Sequence, residues 1–192
     1  MVSLTLRRAV PAEARAIVAM SARVQAELRA AGSLQEFGPI REEVASAHVA
    51  AGTAHVLDEG GAIIGGVFLE RADAPVTPEL SAIFAALKLD PAEGRLWWLQ
   101  KLMIEPGRQG RGLGLVLLDG VKQYVAAHGG GTVALDCWAG NVALRDFYAR
   151  AGFRLHGEFR TFDGYDVAVF TWSAKAEHTI TAASVEDRNY GG

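Results

Sequence analysis

Residues 109–114 read Gln-Gly-Arg-Gly-Leu-Gly, between an apolar run, LWWLQKLMIEP, and a run of helical character, LVLLDGVKQYVAAH. Alternate glycines between a strand and a helix leave no Cβ in the way. They let backbone N–H groups converge at a helix N-terminus, the geometry that cradles phosphate oxygens. A plainer reading is a tight turn and nothing more. The ATP-binding loop needs two glycines five apart, then lysine and a hydroxyl residue. Gly107 and Gly112 supply the spacing, but Leu113-Gly114 stands where the lysine and hydroxyl belong, so magnesium has no ligand and ATP is disfavoured. The dinucleotide fingerprint comes closer, with Gly110 and Gly112 as its first pair and Asp136 near the place of a ribose-binding acid. Its third small residue falls on Leu115, which is too large for close helix packing. In addition, five residues, Glu105 to Gln109, separate the strand from the first glycine.

Composition narrows the partners. The chain has 192 residues, 50% hydrophobic and 21% charged, enough for one globular domain with a core of its own. A net charge of −3 provides no basic field for nucleic acid. The single cysteine, Cys137, excludes an internal disulfide, and the five histidines show no zinc-type spacing, so no metal is expected. No apolar run approaches the roughly 18 residues of a membrane helix, and the N-terminus carries no signal pattern. The expectation is a cytoplasmic protein, monomeric or homodimeric, with no membrane partner.

The elements that must position the glycine turn follow from periodicity. Residues 3–9 alternate as a strand, and Pro11 opens a helix that ends near Gly32. A loop, SLQEFGP, precedes a second helix, REEVASAHVAA, and two strands meet at Gly60-Gly61. Residues 71–94 form an insertion between strands 3 and 4. At its centre, Leu80, Ile83, Phe84 and Leu87 share one helical face, a stripe that must cover an acceptor side or a dimer contact. Then come a strand (96–104), the turn, a helix (112–128), a strand (132–138), a helix (141–151) and strands near 153–159 and 166–172. Strands alternating with helices imply an α/β fold with a mixed sheet. The domain is expected to span 1–173, with a flexible tail over 174–192.

Two motifs at the right separation carry a resemblance. Gln109, Gly112 and Gly114 fit the pattern Gln/Arg, two residues, Gly, one residue, Gly/Ala, and Ile104-Glu105-Pro106 ends the preceding strand. Asn141 is followed by Phe147-Tyr148-Ala149-Arg150-Ala151-Gly152-Phe153. In these features the sequence resembles the GNAT superfamily of acetyl-CoA-dependent N-acetyltransferases, and the order strand, two helices, two strands before them is also the family's. The resemblance implies a mixed, mostly antiparallel central sheet, splayed between strands 4 and 5 and flanked by helices. It also implies transfer of acetyl from acetyl-CoA, the cosubstrate, to a primary amine in a ternary complex without an acyl-enzyme.

The cofactor contacts implied are Leu102, Met103 and Ile104 on the fourth strand, Gln109, Gly110, Arg111, Gly112, Leu113 and Gly114 in the loop, and Asn141 and Tyr148. Tyr148 stands two helical turns from Asn141, on the same face, and is implied to be the general acid toward the thiolate. The carboxylate that some family members place in the fourth strand is missing from Trp97-Trp98-Leu99-Gln100, which leaves Glu105 as the nearest candidate base. Trp97 and Trp98 point to opposite faces, so one packs in the core and Trp98 is a candidate acceptor contact, with Glu36 and Phe37 of the first inter-helix loop. Lys101 reads as a snorkelling lysine, and Cys137 as a small buried residue with no partner for nucleophilic catalysis. The acceptor is expected to be a small amine. Two alternatives from other classes stay open: an acyl-CoA-binding sensor that turns nothing over, and a nucleotide-dependent oxidoreductase resting on Gly110, Gly112 and Asp136.

Overall fold

Twelve elements follow one another in the computed structural model, which describes residues 3–35, 37–72, 78–90, 95–161 and 164–174. They are β1 (Leu4–Arg8), α1 (Ala14–Ala30), α2 (Glu42–Ala50), β2 (Ala54–Glu59), β3 (Ala62–Arg71), α3 (Pro78–Leu87), β4 (Leu96–Ile104), α4 (Leu113–Ala127), β5 (Gly131–Trp138), α5 (Val142–Arg150), β6 (Arg154–Arg160) and β7 (Asp166–Ala174). A short 3₁₀ turn, Pro11–Glu13, precedes α1 and is where the helix was expected to start. The final strand reaches Ala174, one residue past the expected domain boundary, and the rest of the expected tail, 175–192, lies outside the described residues.

The strands form one sheet in the order β1-β2-β3-β4-β5-β7-β6. Every neighbouring pair is antiparallel except β4 and β5, which run parallel. That parallel pairing is short. Leu96, Trp97 and Trp98 face Thr132, Val133 and Ala134, and there it stops. Beyond Trp98 the two strands splay, and the reason lies in β4 itself. Against β3 its register passes from Phe68 opposite Gln100 to Gly66 opposite Met103, so one extra residue bulges out at Lys101–Leu102. Lys101 takes a φ of 56°, rare for a residue with a side chain. Glycine on β3 accommodates the turned strand: a Cβ on Gly65 would lie 2.8 Å from Ile104 Cδ1 and 3.0 Å from the Met103 carbonyl oxygen.

Side-chain alternation sorts the sheet into two faces. On one, α4 and α5 bury Leu117, Leu118, Val121, Val125 and Tyr148 against Val67, Leu69, Trp97, Leu99, Leu135 and Phe170. On the other, α1 and α2 bury Ile17, Met20, Val24, Ala45 and Val49 against Phe68 and Met103. The insertion helix α3 covers the rest of that second face. Phe84 packs edge-on to Trp98 with ring centroids 5.6 Å apart, and Ile83 meets Val167 and Val169. The two adjacent tryptophans thus divide between the faces, as their alternation requires. The hydrophobic stripe of α3 docks on its own sheet, where Leu87 packs over Gly157 of β6.

Candidate active site

The glycine turn links the end of β4 to α4, and three of its glycines hold positive φ: Gly107 at 78°, Gly110 at 75° and Gly112 at 76°. Gly112 is the N-cap of α4 and offers no side chain to the first turn; the Leu115 N–H turns back to the Gly112 carbonyl at 3.0 Å, while the Leu113 and Gly114 N–H groups have no partner among the described residues. Gln109 Nε2 donates to the Ile104 carbonyl at 3.3 Å, tying the loop to the strand end. Gly114 has a packing reason instead: a Cβ there would sit 2.9 Å from Phe147 Cζ, so glycine lets α4 and α5 approach.

From this loop a cleft of about 1230 Å³ runs into the splay between β4 and β5. That exceeds the usual 300–1,000 Å³ of a single small-ligand pocket. Leu102, Met103, Ile104, Gln109, Gly110, Gly112, Leu113, Gly114, Asn141, Tyr148, Phe37 and Trp98 all line it, so most of the residues singled out in the sequence converge. Arg111 is exposed and outside the lining. Glu36 lies outside the described residues. Glu105 also lies outside the lining, and its two carboxylate oxygens accept from Arg23 Nε at 2.6 Å and Arg23 Nη2 at 2.8 Å.

At the inner end, Asn141 caps α5: its Oδ1 accepts from the Leu144 N–H at 3.0 Å. Among the described residues its amide nitrogen has no hydrogen-bond partner, and the residue lines the cleft. Tyr148 is buried among Phe147, Phe153 and Phe170, with ring centroids 5.4, 6.3 and 5.7 Å away. Among the described residues its hydroxyl has no hydrogen-bond partner. Burial, then the nearby Cys137 and Asp136, push the Tyr148 phenol upward, so it keeps its proton at neutral pH. Cys137 is fully buried, and burial, reinforced by the Asp136 carboxylate, pushes its thiol up to about 12. It is not an available nucleophile.

The loop between α1 and α2 closes the outer side. Gln25 Oε1 accepts from the Phe37 and Gly38 N–H groups at 3.0 and 2.9 Å, and Ser21 Oγ from Ile40 N–H at 2.9 Å. Lys101 Nζ donates to the Phe37 carbonyl at 2.5 Å and lies 5.3 Å from the Phe37 ring centroid, so the lysine of the bulge anchors this loop. Gln35 Oε1 accepts from the Trp138 N–H at 2.9 Å, reaching the far wall of the splay.

Two further groups in the cleft escape sequence reasoning. Glu70, half-buried on β3, accepts from Gln100 Nε2 at 2.8 Å; burial pushes its carboxyl upward, and the Gln100 bond opposes that shift. His48 of α2 stacks on Phe68 at 4.1 Å, and its Nδ1 lies 2.8 Å from Thr53 Oγ1. The Thr53 hydroxyl also lies 3.2 Å from the His48 carbonyl, and burial pushes the imidazole downward.

A sequence profile of the Acetyltransferase (GNAT) family matches residues 22–153. The chain belongs to the GNAT acetyltransferase family. Solved structures agree in fold. A GNAT-family acetyltransferase from Listeria monocytogenes aligns with a TM-score of 0.72 at 17% identity, over 89% of this chain and 95% of its own. The ribosomal L7/L12 alpha-N-protein acetyltransferase, solved with coenzyme A, aligns at 0.64 and 17% identity over 92% and 98%. The Drosophila melanogaster polyamine N-acetyltransferase, which forms N-acetylagmatine, aligns at 0.65 and 20% identity over 90% and 100%. The oxidoreductase alternative fails on topology: a dinucleotide fold needs successive parallel strands, and the GNAT sheet here has one short parallel pair. No helix among the described residues is long and apolar enough to cross a membrane, and no cluster of three or more His, Cys, Asp or Glu among them is placed to hold a metal.

Proposed function

We propose that this GNAT protein transfers acetyl from acetyl-CoA to the primary amine of a small acceptor, by direct attack with both substrates bound. The observation that carries this reading is the early end of the β4–β5 ladder at Trp98 and Ala134. It leaves the β5-facing edge of β4 from Leu99 to Ile104 along the cleft, and that edge ends at the open N-terminus of α4. An amide-bearing arm pairs with such an edge as an added strand would, and a pyrophosphate meets the N–H groups at the helix end. Acetyl-CoA brings the acetyl group already activated as a thioester. A backbone N–H near Met103 or Ile104 polarises the acetyl carbonyl. The Tyr148 hydroxyl, protonated and without a partner among the described residues, donates its proton to the departing sulfur. Glu105 is held by Arg23 and is not given the base role.

A small acceptor is favoured because the apolar side chains of Phe37, Leu80 and Ile83 line the cleft, and because the Drosophila melanogaster polyamine N-acetyltransferase, which shares the fold, acts on a small amine. Melting the protein with acetyl-CoA, NAD and ATP tests the cosubstrate: a ligand at 100 times its Kd adds about 2.7 kcal/mol, and only acetyl-CoA is expected to do so. Release of free thiol on adding amines then tests transfer, and its absence with every amine would favour the sensor reading.

A further inference from the structure

We propose that Glu70 of β3 is the carboxylate that takes the proton from the acceptor's ammonium group, replacing the one that β4 lacks. This rests on the acetyl-transfer reading above. The antiparallel register sets Glu70 directly opposite Trp98, in the middle of the β4 stretch Trp97-Trp98-Leu99-Gln100 that contains no acid. A diagonal hydrogen bond from Gln100 Nε2 to Glu70 Oε1, 2.8 Å long, fixes the carboxylate and leaves Oε2 without a hydrogen-bond partner among the described residues, in a cleft that both side chains line. By alternation Glu70 shares a sheet face with Phe68, on which His48 stacks, and with Trp98 across the ladder, and Leu80 and Ile83 of α3 line the same cleft. Half-burial strengthens the argument, because a desolvated carboxyl binds a proton more readily than a surface one and can accept it from an amine.

The protons balance. An alkylammonium gives one proton to Glu70 and becomes the neutral nucleophile. As the C–N bond forms and the C–S bond breaks, the nitrogen loses a second proton, and the thiolate gains one from Tyr148. Tyr148 is restored by the proton leaving nitrogen, and Glu70 passes its own to solvent, so the net products are amide, thiol and one proton.

The test compares wild type with Glu70→Gln and Glu70→Asp, using acetyl-CoA with agmatine, 2-phenylethylamine and 2,2,2-trifluoroethylamine as probe amines. The last is already neutral at pH 7 and needs no base. Glu70→Gln is expected to lower kcat/KM about 100-fold for the two alkylamines that are cationic at that pH, with little loss for the fluorinated one. Glu70→Asp, which keeps a carboxylate, should preserve the wild-type ratio between the two kinds of amine. The melting shift with acetyl-CoA should stay as in wild type for both variants. An equal loss on all three amines would make Glu70 a packing residue and overturn the proposal. So would undiminished turnover in Glu70→Gln, or the amine-selective loss appearing in His48→Gln instead. A wild type that binds acetyl-CoA yet releases thiol with none of these amines would overturn the transfer reading itself, and Glu70's role with it.

Discussion

Tyr148→Phe separates chemistry from architecture at one atom. The Tyr148 ring is 5% exposed and packs on three phenylalanines, all of which the variant keeps. A buried hydroxyl with a protein partner would contribute about 1 kcal/mol. This one has no partner among the described residues, so its loss should change stability by no more than about 0.5 kcal/mol. Turnover should respond differently. The leaving thiolate has a conjugate acid near pKa 8.5, taking a cysteine thiol as its analogue, so it departs tolerably unaided, and the general acid contributes at the low end of its range, about 100-fold. That is about 2.7 kcal/mol of transition-state stabilisation from a group with almost no part in the fold. Thiol release measured in single-turnover conditions, with chemistry limiting, reads the first quantity; urea unfolding reads the second; calorimetry with acetyl-CoA should find an unchanged Kd. Wild-type turnover in Tyr148→Phe would remove the hydroxyl from the mechanism. A stability loss above about 1 kcal/mol would mean that the hydroxyl is a structural donor after all.

The remaining predictions read other parts of the molecule. Gly112→Glu should abolish acetyl-CoA binding in a folded protein: a Cβ there meets nothing within 4 Å, its left-handed φ of 76° costs about 1–2 kcal/mol, and the new charge stands at the phosphate end; calorimetry on a variant with a native circular dichroism spectrum checks it. Cys137, fully buried and with its thiol pushed up to about 12, should resist a chromogenic disulfide at pH 8 until the protein unfolds, which also keeps it silent in thiol-release assays. Acid should weaken the N-terminal edge of the sheet. The Arg7 guanidinium holds Glu13 low, and the Gly61 N–H together with Arg7 holds Asp58 low. Depressed carboxyls contribute stability that is present above their unfolded values near pH 4 and is lost as pH falls through the folded ones. Arg7→Met should therefore flatten the fall in Tm below about pH 4, and an unchanged slope would count against the triad.

What could be read in advance was whatever depends on local spacing. The glycine turn, the period-2 division of Trp97 from Trp98, the apolar stripe of the insertion helix and the Asn141–Tyr148 separation are all properties of a few consecutive residues, and each has a counterpart in the structure. What could not be read depends on register between distant segments. Glu70 and Gln100 are 30 residues apart, and their bond requires both the antiparallel pairing of β3 with β4 and a bulge beginning only at Lys101. Glu105 sits beside the loop in sequence, but Arg23, 82 positions away, claims its carboxylate. The cap at Asn141 was within reach, since asparagine one residue before a helix is a favoured N-cap. His48 had no signal at all: its place in the cleft comes from a bond with Thr53 and a stack on Phe68.

The splay that makes the cleft opens between two strands, and one loop touches both walls. Lys101, at the bulge where β4 turns away, donates to the Phe37 carbonyl, while Gln35, two residues earlier in the same loop, accepts from the Trp138 N–H at the end of β5. The loop is itself fastened to α1 through buried Ser21 and Gln25. The positive φ of Lys101 therefore has two consequences. It carries β4 away from β5, which leaves an unpaired strand edge along the cleft, and it aims the lysine at Phe37 in the loop between α1 and α2. Strain of this kind persists only where the surroundings over-determine it, and here a hydrogen bond, a cation–π contact and the glycine pair Gly65-Gly66 on the facing strand all do so. On the proposed reading, the coenzyme side and the acceptor side of the cleft are in this way set by the same residue.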